Sequence, residues 1–237
     1  MDDLNIFDPK RPTAKRPLLG MTVLVVEDSR FACEALRLMC LRSGARIRRA
    51  DSLGAAARHL KVYRPSAVIV DIGLPDGPGE GLIADLAKAE PRVGILLGMS
   101  GDDGMKERAL EAGADGFLAK PIVSLAAFQE TMLAASPDGA QKLGPRIVSE
   151  EVVEPDISAY RDDISLVSEL LTERQDGQTL DYVAQFLTGV ARAAEDTQLV
   201  EAASLLSEAA PDGDERKAQA AHILALVKER LHNQLAM

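Results

Sequence analysis

The chain has 237 residues, 46% of them hydrophobic, enough for one generous domain or two modest ones, and two is the expectation. Three tyrosines, five phenylalanines and no tryptophan leave few stacking platforms for single-stranded nucleic acid, and a formal charge of -10 repels phosphate backbones, so nucleic acid is not an expected partner. The start, MDDLNIFDPK, carries neither a basic leader nor an apolar core, and no apolar run reaches bilayer-spanning length; a cytoplasmic protein without a membrane partner is expected.

Residues 1–20 hold three prolines and the basic patch KRPTAKRP with few apolar residues, and read as a flexible arm. MTVLVVEDS then gives a short buried strand, Val23 to Val26, that ends in the acidic pair Glu27 and Asp28. Ala32, Ala35, Leu36 and Met39 recur at helical spacing up to Gly44, a strand fits Arg46 to Ala50, and Leu53, Ala56, Ala57 and Leu60 mark a second helix. Cys33 and Cys40 lie seven residues apart on the first helix, about 10 Å of rise, so they cannot bridge each other and read as reduced core thiols.

The stretch SAVIVDIGLPDGPG repeats the first strand's pattern: four apolar residues, Ala67 to Val70, suited to a strand buried on both faces, then a carboxylate, Asp71. The glycines and prolines from Gly73 to Gly79 force a loop and leave Asp71 at its lip. The alternation continues with a helix near Gly81 to Ala89, a strand at Val93 to Met99, a helix from Met105 to Ala112, a strand at Gly116 to Ala119 and a helix from Val123 to Ala135. Five such units predict an α/β domain with a doubly wound five-stranded parallel sheet over residues 21–136.

Residues 137–156 read as a linker with Gly139, Gly144, Pro145 and Pro155 and the acidic cluster Glu150, Glu151 and Glu154. Four apolar stripes follow, around Ile164, Val167 and Leu171, around Val183, Phe186, Leu187 and Val190, around Leu199, Ala202, Ala203 and Leu206, and around Ala220, Ile223, Leu224 and Val227. They predict an all-α helical bundle over 157–237. Residues 1–137 hold 18 acidic and 18 basic side chains while residues 138–237 hold 19 and 9, so the net charge sits in the helical part.

Adjacent parallel strands would bring Glu27, Asp28 and Asp71 to one edge, where three carboxylates repel one another unless a cation neutralises them. An all-oxygen site suits Mg2+, which keeps several waters and completes its shell with phosphate oxygens, and the Gly73 carbonyl is a further donor. Two more strand ends reach this edge: Ser100 after GILLGM and Lys120 after DGFLA. An ammonium and a hydroxyl there can hold phosphoryl oxygens, leaving Asp71 as the covalent acceptor of an aspartyl phosphate.

The acidic pair in VVEDS, the acceptor in VDIGLPDG, the hydroxyl in GMSGDD and the lysine in GADGFLAKP together resemble a two-component response regulator receiver domain, with a flavodoxin-like fold, over residues 21–136. The resemblance implies that Asp71 takes phosphate from a histidine kinase or phosphotransfer protein, and that Asp28, Asp71 and the Gly73 carbonyl bind Mg2+ with Glu27 acting through water. It implies that Lys120 contacts the phosphoryl group, that Ser100 and Phe117 are the switch pair, altering the face made by the fourth helix, fifth strand and fifth helix, and that the peptide before Pro121 is cis. The protein would then be no enzyme beyond self-catalysed phosphoryl transfer and autodephosphorylation. Met99 and Phe117 are mild departures from the family pattern, whereas Gly73 and Asp102 occupy positions that modulate hydrolysis of the acyl phosphate.

Several features have plainer readings. Ser100 can cap the following helix, and Arg42, Arg46, Arg48 and Arg49 read as a solvated face. AAHILAL around His222 partly matches the histidine phosphotransfer pattern, but Ala225 and Leu226 stand where that pattern has Lys and Gly, so a partly buried structural histidine is expected. His59 and His232 lack the spacing of a zinc site. The expected output is a protein-interaction or homodimerisation module; a DNA-binding regulator and a relay through His222 are the alternatives. Arg216 and Lys217, directly preceded by acidic residues, offer little to DNA.

Overall fold

The computed structural model describes residues 12–102, 104–137, 151–211 and 213–233. The strands β1 (Thr22–Val26), β2 (Arg46–Ala50), β3 (Ala67–Asp71), β6 (Ile95–Ser100) and β7 (Gly116–Ala119) form one sheet in the order β2-β1-β3-β6-β7, every pairing parallel. Between β3 and β6 lies a two-residue ribbon, β4 (Gly73–Leu74) with β5 (Gly77–Pro78). The central strands β1, β3 and β6 are largely apolar because both their faces are covered: Val23 and Val25 join one core with Leu36, Met39, Phe128 and Met132, while Leu24 and Val26 join another with Ala56, Ile83 and Ala109. The first core is roofed by α1 (Arg30–Ser43) and α5 (Leu125–Ala134), the second by α2 (Leu53–Val62), α3 (Gly79–Lys88) and α4 (Met105–Glu111). This is the predicted doubly wound, flavodoxin-like sheet, with its ligand edge at the carboxyl ends of the strands.

Local signals set the helix ends. Ser29, Ser52 and Ser124 cap α1, α2 and α5 by accepting from the amides of Ala32, Ala55 and Ala127. Gly44 stops α1 at φ 88°, a left-handed conformation that a residue with a Cβ adopts only at a cost. Cys33 and Cys40 are buried and free, and burial pushes both thiols up to about 12.

The second region consists of α6 (Ile157–Glu173), α7 (Gly177–Ala193), α8 (Thr197–Glu208) and α9 (Asp214–Asn233) around a core of Ile164, Val167, Leu187, Leu199, Ala203, Ile223 and Val227. Asp156, Asp176 and Asp196 cap the first three of these helices, so part of the region's acidity serves its own helix termini. Asp196 also accepts from Tyr160 Oη at 2.8 Å and pairs with Arg230. No helix among the described residues is long and apolar enough to cross a membrane.

Several expectations need correction. Residues 1–11 of the arm lie outside the described residues, but Pro17 and Leu18 are buried, Leu18 enters the first core, and its amide donates to Ser43 O at 2.9 Å. The linker's residues 138–150 also lie outside; its end does not hang free, because Val152 bridges Ser124 and Val153 is 1% exposed in the same core. His222 is exposed on α9 instead of partly buried. Arg216, read with Lys217 as a basic pair offering little to DNA, is buried and pairs with Asp181. On β2, an edge strand, Arg46, Arg48 and Arg49 are exposed, a solvated face as expected.

Candidate functional site

The register of the sheet builds the site. Val26 pairs with Val70, so Glu27 and Asp28 follow β1 where Asp71 ends β3; Met99 pairs with Asp71, so Ser100 ends β6 beside it. Ala119 pairs with Ser100, which delivers Lys120 from the far strand. One carboxylate oxygen from each of Glu27, Asp28 and Asp71 lies within 4.8 Å of the others. Lys120 Nζ stands 2.6 Å from Glu27 Oε2 and 3.0 Å from Asp71 Oδ1. The peptide before Pro121 is cis.

Glu27, Asp71 and Ser100 are 1%, 5% and 4% exposed, so their charges act in a poorly screened setting. Burial pushes the Glu27 carboxyl well above the usual carboxylate range; Lys120 opposes that push while Asp71 and Asp28 add to it. Burial also raises Asp28, against a hydrogen bond donated by Tyr182. For Lys120 burial disfavours the ammonium, but Asp71 and Glu27 more than offset it and hold the lysine charged. Three carboxylates facing one ammonium leave the cluster short of positive charge, and an all-oxygen donor set of this kind fits a hard divalent cation. Asp28, Asp71 and Glu27 therefore fit the expected metal, with Gly73 on the next turn of chain.

Ser100 is not a helix cap: its Oγ accepts from Asp102 N at 3.1 Å, and Gly104 is the residue before α4. Asp102 is exposed and turns its Oδ1 to the Gly104 amide. Phe117 is half-buried in the second core, next to Gly98.

The helical region closes over this edge. A cleft of about 820 Å³ is lined on one side by Glu27, Asp28, Asp71, Ser100 and Lys120 and on the other by residues of α7 and α8. Tyr182 Oη donates to Asp28 Oδ2 at 2.5 Å, and Arg192 Nη1 donates to Gly101 O at 2.7 Å. Asp163 of α6 is 1% exposed; its carboxylate accepts from Ser29 Oγ at 2.7 Å, Arg30 N at 2.8 Å and Phe31 N at 3.0 Å. A Cβ on residue 73 would run into the Gln185 amide, so the bare glycine makes the room that α7 fills. Phe31 leaves the receiver side altogether and packs edge-on against Tyr160 in the helical core. Gly73 was the single sequence hint, as a departure from the family pattern; Asp162 and Asp163 look like any solvated pair.

A family model described as the response regulator receiver domain matches residues 23–131. The KDP operon transcriptional regulatory protein KdpE of Escherichia coli is 35% identical over 100 residues, 42% of this chain and 44% of its own. The virulence transcriptional regulatory protein PhoP of Salmonella typhimurium is 31% identical over 104 residues, 43% of this chain and 46% of its own. The chain thus spans less than half the length of these curated relatives, and the helical region has no part in the family match. A putative response regulator from Chloroflexus aurantiacus superposes with a TM-score of 0.41 at 32% identity, covering 43% of this chain and 85% of that one. With the sheet order, the strand-end acids and the family match in agreement, residues 23–131 are a response regulator receiver domain.

Proposed function

We propose that Asp71 accepts a phosphoryl group from a histidine kinase or phosphotransfer protein, and that the helical region is a protein-interaction or dimerisation output. The observation that carries the reading is the single ammonium of Lys120, 3.0 Å from a 5%-exposed aspartate at the carboxyl end of a central strand, with two further acids beside it. In the transfer an Asp71 carboxylate oxygen bonds to phosphorus as the donor's P–N or P–O bond breaks, and the leaving group takes up a proton where it needs one. Lys120 and Ser100 hold equatorial oxygens of the phosphoryl group, so catalysis is positioning and charge neutralisation. Asp28, Asp71 and the Gly73 carbonyl would hold Mg2+, with Glu27 acting through water. When bound, that ion supplies charge for the phosphoryl oxygens. The chain is no enzyme beyond this self-catalysed transfer and the autodephosphorylation that passes the phosphoryl group on to water.

Ser100 and Phe117 form the switch in this reading. New bonds from Ser100 and Lys120 supply about 2–4 kcal/mol, against the roughly 5.5 kcal/mol that full conversion of a 1:99 equilibrium requires. A partner or second copy supplies the rest. The relatives named above are transcriptional regulators matched over 100 and 104 residues, but the family model ends at residue 131, short of the helical region, where residues 157–237 carry 14 acidic against 7 basic side chains. That charge argues for a protein partner over DNA. Incubation with Mg2+ and acetyl phosphate should add one acid-stable, base-labile phosphoryl group, absent in Asp71→Asn; equal labelling of that variant would reject the assignment.

A further inference from the structure

We propose that the helical region is a latched cover on the receiver's own acceptor face, held by Tyr182 and Asp163, and that it must lift before a folded phosphodonor reaches Asp71. The proposal rests on the reading of Asp71 as acceptor and adds residues from outside the receiver domain to that site.

The contacts converge on the strand ends from several directions. Tyr182 holds Asp28 after β1, Gln185 fills the space over Gly73 after β3, and Arg192 holds the Gly101 carbonyl after β6. Asp163 pins the turn from Ser29 to Phe31 with three hydrogen bonds from a fully enclosed carboxylate. Burial raises the pKa of this carboxylate, and the three donors together with the charge of Arg30 offset that cost. Tyr182 is half-buried beside acids, and its hydroxyl finds its partner in Asp28, a carboxylate that Mg2+ would also use.

These contacts separate small visitors from large ones. The cleft of about 820 Å³ beneath the cover has room for a hydrated cation and an acyl phosphate, but α7 and α8 form its wall opposite Asp71, and a folded donor that brings a histidine to Asp71 would have to displace them. In the closed form Tyr182 also competes with the cation for Asp28. Opening therefore frees the metal site and the docking face together, and metal or phosphate at the site favours the open form by the same linkage. The face that α7 shows the receiver becomes available to another partner only in that form.

The test uses the full chain with Tyr182→Phe, Asp163→Ala and the double variant. Tyr182→Phe removes one hydroxyl and keeps the ring stacked on Phe186, and circular dichroism checks that helix content is unchanged. Titration calorimetry with Mg2+ alone should show tighter binding in each variant, by about tenfold or more for Tyr182→Phe, which loses one hydrogen bond to a charged group. Amide exchange in residues 72–78 and 177–193 should speed up in Asp163→Ala. Unchanged or weaker Mg2+ binding in both single variants, with unaltered exchange, would overturn the cover. If Mg2+ binding tightens while acetyl phosphate fails to label Asp71, the cover stands and the acceptor assignment falls; the reverse result separates them the other way.

Discussion

The receiver and the helical region handle buried charge by different means. In the receiver, Glu27, Asp71 and Lys120 come from three strands, and the register of the sheet fixes where each emerges, so the cluster is assembled by backbone hydrogen bonds. In the bundle, Asp196, Tyr160 and Arg230 come from helix ends whose relative placement depends on how apolar faces pack. A cluster placed by strand register is legible from the order of motifs along the chain. One placed by helix packing is not, because a helix face specifies only that something covers it.

The difference is sharpened most by removing the ammonium that faces the receiver's carboxylate cluster. Lys120→Met leaves the buried carboxylates of Glu27 and Asp71 without their cation and should cost about 3–5 kcal/mol at neutral pH. The sign with pH follows from Glu27, whose pKa is raised on folding. Its contribution to stability is fully present below its unfolded pKa and is lost as pH rises through the folded value, so acid should rescue much of the variant's stability in denaturant titrations. Added Mg2+ should rescue it too.

Leu187→Ala attacks the other region. It is fully buried in the bundle core and should cost about 2–5 kcal/mol. Because the receiver keeps two cores of its own, exchange should accelerate in α6–α9 while β1, β3 and β6 stay protected. Uniform acceleration would show one cooperative unit and break the comparison.

Asp196→Ala removes a helix cap and the partner of Arg230, at about 2 kcal/mol. Although burial works against the Asp196 carboxylate, Arg230 and Tyr160 hold its pKa below the ordinary value. Its contribution is therefore present above the unfolded pKa and lost as pH falls through the folded one, opposite in sign to Glu27. Thermal melts from pH 7 to pH 3 should show the variant losing less stability than the parent. Arg30→Ala breaks an ion pair with Asp162 in which both side chains are more than half exposed, and should change the melt by no more than about 0.5 kcal/mol.

Sequence alone determined the receiver. The apolar strand runs, the glycine that stops its first helix, and four polar motifs in order at strand ends suffice, because a parallel sheet converts chain order into spatial neighbourhood. It also determined that four amphipathic helices follow, each with one face to bury. Tertiary structure decided where that bundle sits: Tyr182 against Asp28, Gln185 over Gly73, Asp163 at the start of α1, Phe31 in the neighbouring core. It decided as well that Leu18 and Val153, from stretches read as arm and linker, fill the receiver's core, and that Arg216 is buried while His222 is exposed. The physical reason is common to all of these. Each is a contact between residues far apart in the chain whose types fit many surroundings, and only the packed shape of the partner surface selects one.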